Sequence, residues 1–577
     1  MATDTHMPTL NWIGKDAVVK HHQDVPFRLL EPVPALSCGG PASGNLIVQG
    51  DNLHALKALL PRYAGQVKCI YIDPPYNTGN EGWVYNDNVN SPEIRKWLGA
   101  VVGKEGETLD RHDRWLCMMY PRLVLLRQFL RDDGAIFVSI DDNEIGNLQA
   151  LMREIFGAAN EVACVVWEKG KKGDSKLVSV THEYIVVFAQ NKALLKERGV
   201  RWRRRKPGID DVLAQYETLR TANGGDHAKT RKSMMAWYRA LPKGDPRKKH
   251  KHYNHSDNRG LYFPDNFHGP DDGRESRPRY PILHPVTGQP CAMPSTGWRW
   301  EEDTTKKALA DDPPRIHFGK THATIPNRKS YLFEIDEEPM LSVFYTDGRA
   351  ATLEVESILG AGAFQFPKDS NVIADLVGMV TEPGDLVLDS FGGSGTTAHA
   401  VLKHNQNLKS PLRFILVELD AVVARDKTRK RVQAAIEGYT PVIGKKRSPV
   451  PALGNSFQFC TLSAEPLFTP QGQIREDVRF DQLADFIWFA ETGTGYTGSA
   501  DSPFLGEHEG RAIYLLFNGI LKDKSVSGGN VLTGTVYDLL PEFEGPKVIY
   551  AAACRLGPPR LQREQIVFKQ TPYALGV

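Results

Sequence analysis

The run VKCIYIDPPYNTGN, Val67 to Asn80, constrains the fold more than any other stretch of the chain. Its apolar half reads as a buried strand, and Asp73, Pro74, Pro75 and Tyr76 stop it. Proline fixes its own φ and restrains the residue before it, so the strand's carboxyl end becomes a stiff tip. A strand apolar on both faces belongs inside a parallel sheet covered by helices. The surrounding sequence has the alternation such a sheet needs. NLIVQGDNLHALKALL, Asn45 to Leu60, reads as a strand, a Gly-Asp-Asn turn and an amphipathic helix with Asp51 at its N-cap. Trp115 to Arg131 carries apolar residues at 116, 119, 123, 126 and 130, a helical spacing; Asp132, Asp133 and Gly134 close it, and Pro121 is expected to kink it. AIFVSIDD, EVACVVWEKG and THEYIVVFAQ follow as strands. The fold class expected is α/β.

The texture changes near residue 192 to basic, Gly- and Pro-containing sequence that lasts to about 350. Residues 196–256 hold 17 Lys or Arg against 6 Asp or Glu, although the whole chain carries a formal charge of only +2. Such a local excess points to a polyanion partner. Order returns with GDLVLDSFGGSGTTAHAVLKHN, Gly384 to Asn405, and LRFILVELD, Leu412 to Asp420, a strand–turn–helix–strand unit. These shifts divide the 577 residues into an N-terminal arm (1–44), a first α/β half (45–191), an insert (192–350), a second α/β half (351–445) and a small C-terminal domain (446–577). The seven cysteines are scattered without paired spacing, which suggests neither a disulfide framework nor a structural zinc. The opening MATDTHMPTLNW lacks an apolar segment with a basic lead-in, and no stretch approaches the roughly 18 uncharged residues of a membrane span. The expected location is the cytoplasm.

The turn DSFGGSGTT places Gly392, Gly393 and Gly395 between a strand and its helix, where backbone N–H groups can approach a ligand closely. From Gly393 the spacing is G-x-G-x-x-A. Glu418 ends the next strand 23 residues after Gly395, close to the roughly 20 expected of an acid that accepts from ribose hydroxyls. The plain alternative is a tight strand-to-helix connection and a surface Glu. A phosphate-loop NTPase is disfavoured, because Thr396 and Thr397 stand where its Lys would be. At the other tip, Asp73 and the Pro74 carbonyl offer two acceptors and Tyr76 a flat face, a set that matches the exocyclic amine of a planar heterocycle. The bland alternative is a turn whose Tyr76 packs against the domain.

DPPYNTG together with DSFGGSGTT resembles the paired signature of the amino-group DNA methyltransferases that use S-adenosylmethionine, and the order of the two motifs resembles the β-class permutation of that family. The resemblance covers residues 45 to 440. NWIGK, GDNLHALKALL, HPVTGQPCAMPSTGWRW and FQFPKD resemble, more narrowly, modification subunits of type III restriction-modification systems and their solitary relatives. The resemblance implies a Rossmann-like methyltransferase fold with a mixed, mostly parallel sheet, circularly permuted, plus an inserted α+β target-recognition domain. It implies S-adenosyl-L-methionine as cofactor, no metal, Asp73, Pro74, Pro75 and Tyr76 as catalytic residues, and Asp389, Phe391, Gly393, Gly395, Thr396, Thr397 and Glu418 around the cofactor, with Asp51 and Lys368 nearby. For Asp51, helix capping is an equal explanation. Implied too are direct methyl transfer to an adenine flipped out of duplex DNA, a homodimer, a separate restriction subunit or a solitary role, and a place in the bacterial cytoplasm at the nucleoid.

Asp at the first motif position resembles the N6-adenine enzymes, whereas Ser is commoner among N4-cytosine enzymes; the latter remain the alternative, as does an inactive DNA-binding relative. RNA-directed relatives more often carry Trp where Tyr76 stands. Carbon-5 cytosine chemistry needs a cysteine nucleophile. Pro290-Cys291 precedes the Gly-rich turn and lacks a following Glu-Asn-Val, so Cys291 reads as structural. For DNA contact the candidates are Arg201, Trp202, Arg203, Arg204, Arg205 and Lys206, with Arg247, Lys248, Lys249 and Lys251; Trp237, Tyr238 and Tyr253 lie among them as wedges or stacking groups. His250, His252 and His255 lack a cysteine or fourth ligand and read as a basic loop.

Overall fold

Val67–Ile72 is a strand with every residue buried, the placement its two apolar faces require. The computed structural model describes residues 9–40, 43–78, 107–170, 176–269, 277–406, 408, 410–443, 447–522 and 529–574. Gly79 and Asn80 of the opening run and residues 1–8 of the N-terminal arm lie outside the described residues. The chain forms two compact units, Met1–Trp202 with Leu341–Val577, and Arg203–Met340; the texture of the sequence set these limits at 192 and 350.

The first unit is built on a ten-stranded sheet. Its strands are β1 (Arg28–Pro32), β2 (Leu46–Gln49), β3 (Val67–Ile72), β4 (Leu130–Ile140), β5 (Glu161–Glu168), β6 (His182–Ala189), β7 (Val343–Tyr345), β8 (Leu386–Asp389), β9 (Arg413–Glu418) and β10 (Gln458–Pro466). In space the order is β1-β10-β2-β9-β8-β3-β4-β6-β5-β7. All neighbours from β10 to β4 are parallel, while β6 runs antiparallel to β4 and β5. The chain leaves β8 toward β9 on one side and β3 toward β4 on the other. Between β8 and β3 the connections diverge, and a crevice opens outside the carboxyl ends of strands at such a switch point. The Asp-Pro-Pro-Tyr tip follows β3 and the Gly-rich turn follows β8, so the topology brings both to this crevice.

Helices α1 (Asn52–Tyr63), α2 (Glu107–Phe129), α3 (Ile145–Phe156), α4 (Gly348–Leu359), α5 (Ser370–Val380), α6 (Thr396–Asn405) and α7 (Arg429–Glu437) belong to this unit. One expectation changes at α2. Pro121 lies inside it, where Trp115, Met118, Leu123 and Leu126 are wholly buried and packing outweighs the lost hydrogen bond. The helix stops at Phe129, and Leu130 already pairs with Val67. Asp132–Gly134 is therefore the irregular entrance of β4 rather than a helix stop. Lys68 Nζ lies 2.9 Å from Asp133 Oδ2 and Arg131 Nη1 2.9 Å from Asp385 Oδ1, pinning that entrance. Gly134 is required there, since a Cβ would lie 2.9 Å from the Arg131 carbonyl and 3.0 Å from that of Val67.

The arm and the C-terminal segment differ from their sequence limits at 44 and 446. Strand β10 joins the main sheet, β1 pairs with it, and Phe27 meets Phe486 edge-on with ring centroids 4.8 Å apart. A second, four-stranded sheet, 504–508, 511–515, 547–551 and 566–570, follows in the same compact unit. The second unit is α+β: helices Ile209–Ala222 and His227–Ala240 and a four-stranded antiparallel sheet. Its core includes Val212, Tyr216, Met234, Tyr238, Tyr253 and Leu332. Tyr238 and Tyr253, each 3% exposed, are core side chains, not stacking groups; their rings are buried in the core of this unit. Among the described residues no helix is long and apolar enough to cross a membrane.

Leu388→Ala, which empties a fully buried site in β8, is expected to destabilise the protein by about 2–5 kcal/mol in chemical denaturation. Val567→Ala, at a half-exposed edge position, should stay within about 0.5 kcal/mol.

Candidate active site

The Gly-rich turn is braced by its own acids. Asp389, at the end of β8, accepts from the Phe391 N–H at 2.9 Å through Oδ1 and from Thr397 Oγ1 at 2.6 Å through Oδ2. Glu418, at the end of β9, accepts the Gly393 N–H at 2.7 Å and the Asp420 N–H at 2.9 Å. Gly393 and Gly395 have φ of +48° and +79°, left-handed values that favour glycine. A Cβ on Gly395 would stand 3.2 Å from the Thr428 carbonyl. Beneath the turn, fully buried Arg431 donates through Nη1 to Ser394 Oγ and Thr396 Oγ1, both at 2.8 Å, and through Nη2 to Glu354 at 2.8 Å. Burial pushes the Asp389 carboxyl up to about 7; the carboxylates of Asp73 and Glu418 add to the rise and the Thr397 and Phe391 hydrogen bonds oppose it.

The second tip is set by ion pairs. Trp115 Nε1 donates to the Pro75 carbonyl at 2.8 Å, tying the tip to α2. Lys368, just before α5, reaches Asp73 Oδ2 at 2.8 Å and lies 3.6 Å from Glu183 Oε2. Its ammonium is 4.7 Å from the centre of the Tyr76 ring. Tyr76 donates its hydroxyl to Glu183 Oε2 at 3.2 Å, and Lys169 pairs with Glu183 Oε1. Asp73 Oδ1 is buried with no hydrogen-bond partner among the described residues. Burial, then the charges of Asp73 and Glu183, hold the Tyr76 phenol above its ordinary pKa, so it remains a donor. Burial opposes the charge on Lys368, but the two carboxylates outweigh it and its pKa is raised.

The structure thus sets Asp73, Pro74, Pro75 and Tyr76 at one end of the crevice and Asp389, Phe391, Gly393, Gly395, Thr396, Thr397 and Glu418 at the other. Lys368, expected near the Gly-rich turn, sits instead on Asp73. Asp51 caps α1, accepting from the Leu53 and His54 N–H groups at 2.9 and 3.1 Å, and lies 3.6 Å from Arg122. The hydroxyls of Thr396 and Thr397 face inward to Arg431 and Asp389 and serve the turn itself. Glu183 and Lys169 lie outside both motifs, and their signal in the sequence is an ionisable residue beside or within a segment otherwise apolar enough to be buried; Arg431 lies in a charged run that carries no such signal. Near the tip, a cavity of about 660 Å³ is lined by Trp167, Lys169, Tyr345, Arg349, Phe366 and Asp369 among others.

The basic candidates are more committed than their charge suggests. Within the second unit, Arg204 pairs with Glu338 at 2.9 Å, Arg205 with Asp336 at 2.8 Å, and Arg247 with Asp245 at 2.6 Å. Lys248 Nζ donates to the Leu241 carbonyl at 2.7 Å, and the Lys206 N–H to that of Asp336 at 2.8 Å. Lys249 and Lys251 are exposed, and Arg203 is half-buried. In the first unit Arg201 is exposed and Trp202 packs 6.3 Å from Phe137. His250 is buried against the Pro207 carbonyl, and the described residues hold no cluster able to bind a metal.

A Gly-rich turn and an Asp-Pro-Pro-Tyr tip on neighbouring parallel strands, at the switch point of a doubly wound sheet, define the Rossmann-like methyltransferase class. A family model described as DNA methylase matches residues 67–428. The chain belongs to that family. It is 31% identical over 468 residues to the EcoP15I Mod subunit of a type III restriction-modification enzyme from Escherichia coli, covering 75% of this chain and 67% of that one. It is also 31% identical over 486 residues to the EcoPI Mod subunit of Escherichia phage P1, covering 75% and 68%, and 27% identical to the type II methyltransferase M.KpnI of Klebsiella pneumoniae, covering 72% and 89%. This is a Mod-like DNA methyltransferase.

Asp389 is more basic folded than unfolded, so its contribution favours the fold while it is protonated. That contribution is full below about pH 4, declines as pH rises toward about 7, and is gone above it. The stability difference between wild type and Asp389→Asn, followed by denaturation from pH 4 to pH 8, should change across that window; a constant difference would contradict it.

Proposed function

We propose that this protein methylates N6 of an adenine swung out of duplex DNA, with S-adenosyl-L-methionine as methyl donor. One observation carries the reading: a buried Asp73 Oδ1, without a hydrogen-bond partner among the described residues, at a stiff tip on the strand next to the Gly-rich turn. An acceptor left unpaired in a buried site is costly, and an incoming N–H relieves that cost. The residues also fit the donor. The left-handed glycines keep the turn open to close approach, and Glu418 ends the next strand where an acid that meets ribose hydroxyls is expected. When bound, S-adenosylmethionine supplies an electrophilic methyl group on a sulfonium sulfur.

Asp73 and the Pro74 carbonyl hold the target amine, drawing its lone pair out of conjugation with the ring, and Tyr76 stacks on the base. Stacking requires extrusion, because an amine inside the duplex cannot reach the tip. Positioning and charge placement do the rest. Asp389, Thr396 and Thr397 act on the donor through the shape of the turn, Phe391, Gly393 and Gly395 line it, and Asp51 and Lys368 serve α1 and Asp73. Residues 203–340 form the target-recognition domain, and the exposed Arg201, Lys249 and Lys251 are the first phosphate contacts. The Asp-Pro-Pro-Tyr-first order reflects circular permutation. We place the enzyme at the bacterial nucleoid as a homodimer working with a separate restriction subunit.

Asp73→Ala should abolish transfer of radiolabelled methyl to duplex DNA, a loss of about 10³-fold or more, while DNA affinity changes little; retained activity would remove Asp73 from the mechanism. Mass spectrometry of digested product DNA should show N6-methyladenine, and N4-methylcytosine there would favour the alternative base. DNA affinity should fall steeply with salt, and a flat response would remove the basic insert from the interface. Cys291→Ser should leave activity intact, and its loss would revive cysteine-dependent cytosine chemistry.

A further inference from the structure

Four charged side chains form a line that ends at the crevice: Asp73, Lys368, Glu183 and Lys169. Lys368 reaches Asp73 at 2.8 Å and Glu183 at 3.6 Å, Lys169 pairs with Glu183, and the Tyr76 hydroxyl donates to Glu183 at 3.2 Å. Lys368 and Glu183 have side chains only 7% and 9% exposed. Glu183 opens β6, antiparallel to β4, and pairs across to Trp167 on β5. It therefore comes from the far side of β4, outside both motifs.

We propose that Glu183 is a positioning residue of methyl transfer, acting through Lys368 and Tyr76 to keep the net charge beside Asp73 favourable to a cation. The inference rests on the reading of Asp73 as the partner of the target amine. As the amine lone pair forms the new N–C bond and the C–S bond breaks toward sulfur, the nitrogen becomes positive, and it then loses one proton to solvent. Asp73 stabilises that charge. Lys368 sits on Oδ2 and leaves Oδ1 for the amine. Lys368 is itself a cation next to the reacting nitrogen, and uncompensated it would oppose the transition state. Glu183 supplies the compensating charge and, with the same carboxylate, sets the Tyr76 ring.

A shape role and a charge role separate by substitution. Glu183→Gln keeps the volume and an acceptor for Tyr76 but removes the charge; Glu183→Asp keeps the charge and shortens the reach. Single-turnover methylation at saturating donor and DNA should fall about 10²-fold in Glu183→Gln and no more than about tenfold in Glu183→Asp. Melting temperature, donor and DNA affinities, and the fluorescence of 2-aminopurine at the target position should match wild type in Glu183→Gln. Glu183→Gln equal to or faster than Glu183→Asp, or a Glu183→Gln rate loss that tracks lost 2-aminopurine signal, would each overturn the proposal. If the wild-type protein itself transfers no methyl to DNA, the reading of the site fails instead.

Discussion

Parallel pairing of β3 with β8 is the contact on which the site depends, because it joins segments more than three hundred residues apart in the chain at adjacent carboxyl ends. Each strand is buried along its length, so hydrophobic burial fixes their depth in the sheet, and the tips that follow inherit that position. Asp-Pro-Pro-Tyr cannot extend the strand and the Gly-rich turn must double back into α6. Both therefore project where the crossover connections part. The site is preorganised by topology before any side chain is considered.

Electrostatics then refines what topology has placed. Around the Gly-rich turn the charges are inward-looking: Asp389, Glu418 and Arg431 satisfy backbone and hydroxyl groups of the turn itself, and Glu354 holds Arg431. Around the Asp-Pro-Pro-Tyr tip they form a line that leaves Asp73 Oδ1 without a hydrogen-bond partner among the described residues. Buried polar networks are costly when half-satisfied, and an incoming amine offers that oxygen its partner.

Much of this was legible in the sequence where local chemistry is decisive. Two consecutive prolines after a wholly apolar run cannot continue a central strand, so the tip at Asp73 could be read from residues 67 to 76 alone, and glycines between a strand and a helix marked the other turn. Asp51 as a helix cap was equally local. What could not be read depended on pairing across the fold. Lys368 meets Asp73 only because the approach to α5 passes the end of β3, and Glu183 joins them from β6; neither lies at a diagnostic spacing from the other. β1 and β10 are partly exposed, and only pairing across the fold, of β10 with β2 and of β1 with β10, makes them members of the main sheet. Tyr238 and Tyr253 lie in sequence among lysines and arginines, yet their rings fill the core of the second unit, and Arg204, Arg205 and Arg247 spend part of their charge on neighbouring aspartates and glutamates. Composition counted those cations without seeing their partners.

The central claim is that one crevice between two sequence-distant tips holds both the target amine and the methyl donor. A crystal structure of the protein with duplex DNA containing its recognition sequence and the donor analogue sinefungin tests it most directly. The account predicts an extruded adenine stacked on Tyr76, with its exocyclic nitrogen within hydrogen-bond distance of Asp73 Oδ1 and facing an analogue seated on the Gly393–Gly395 turn. An adenine left in the duplex, or an analogue bound away from that turn, would contradict it.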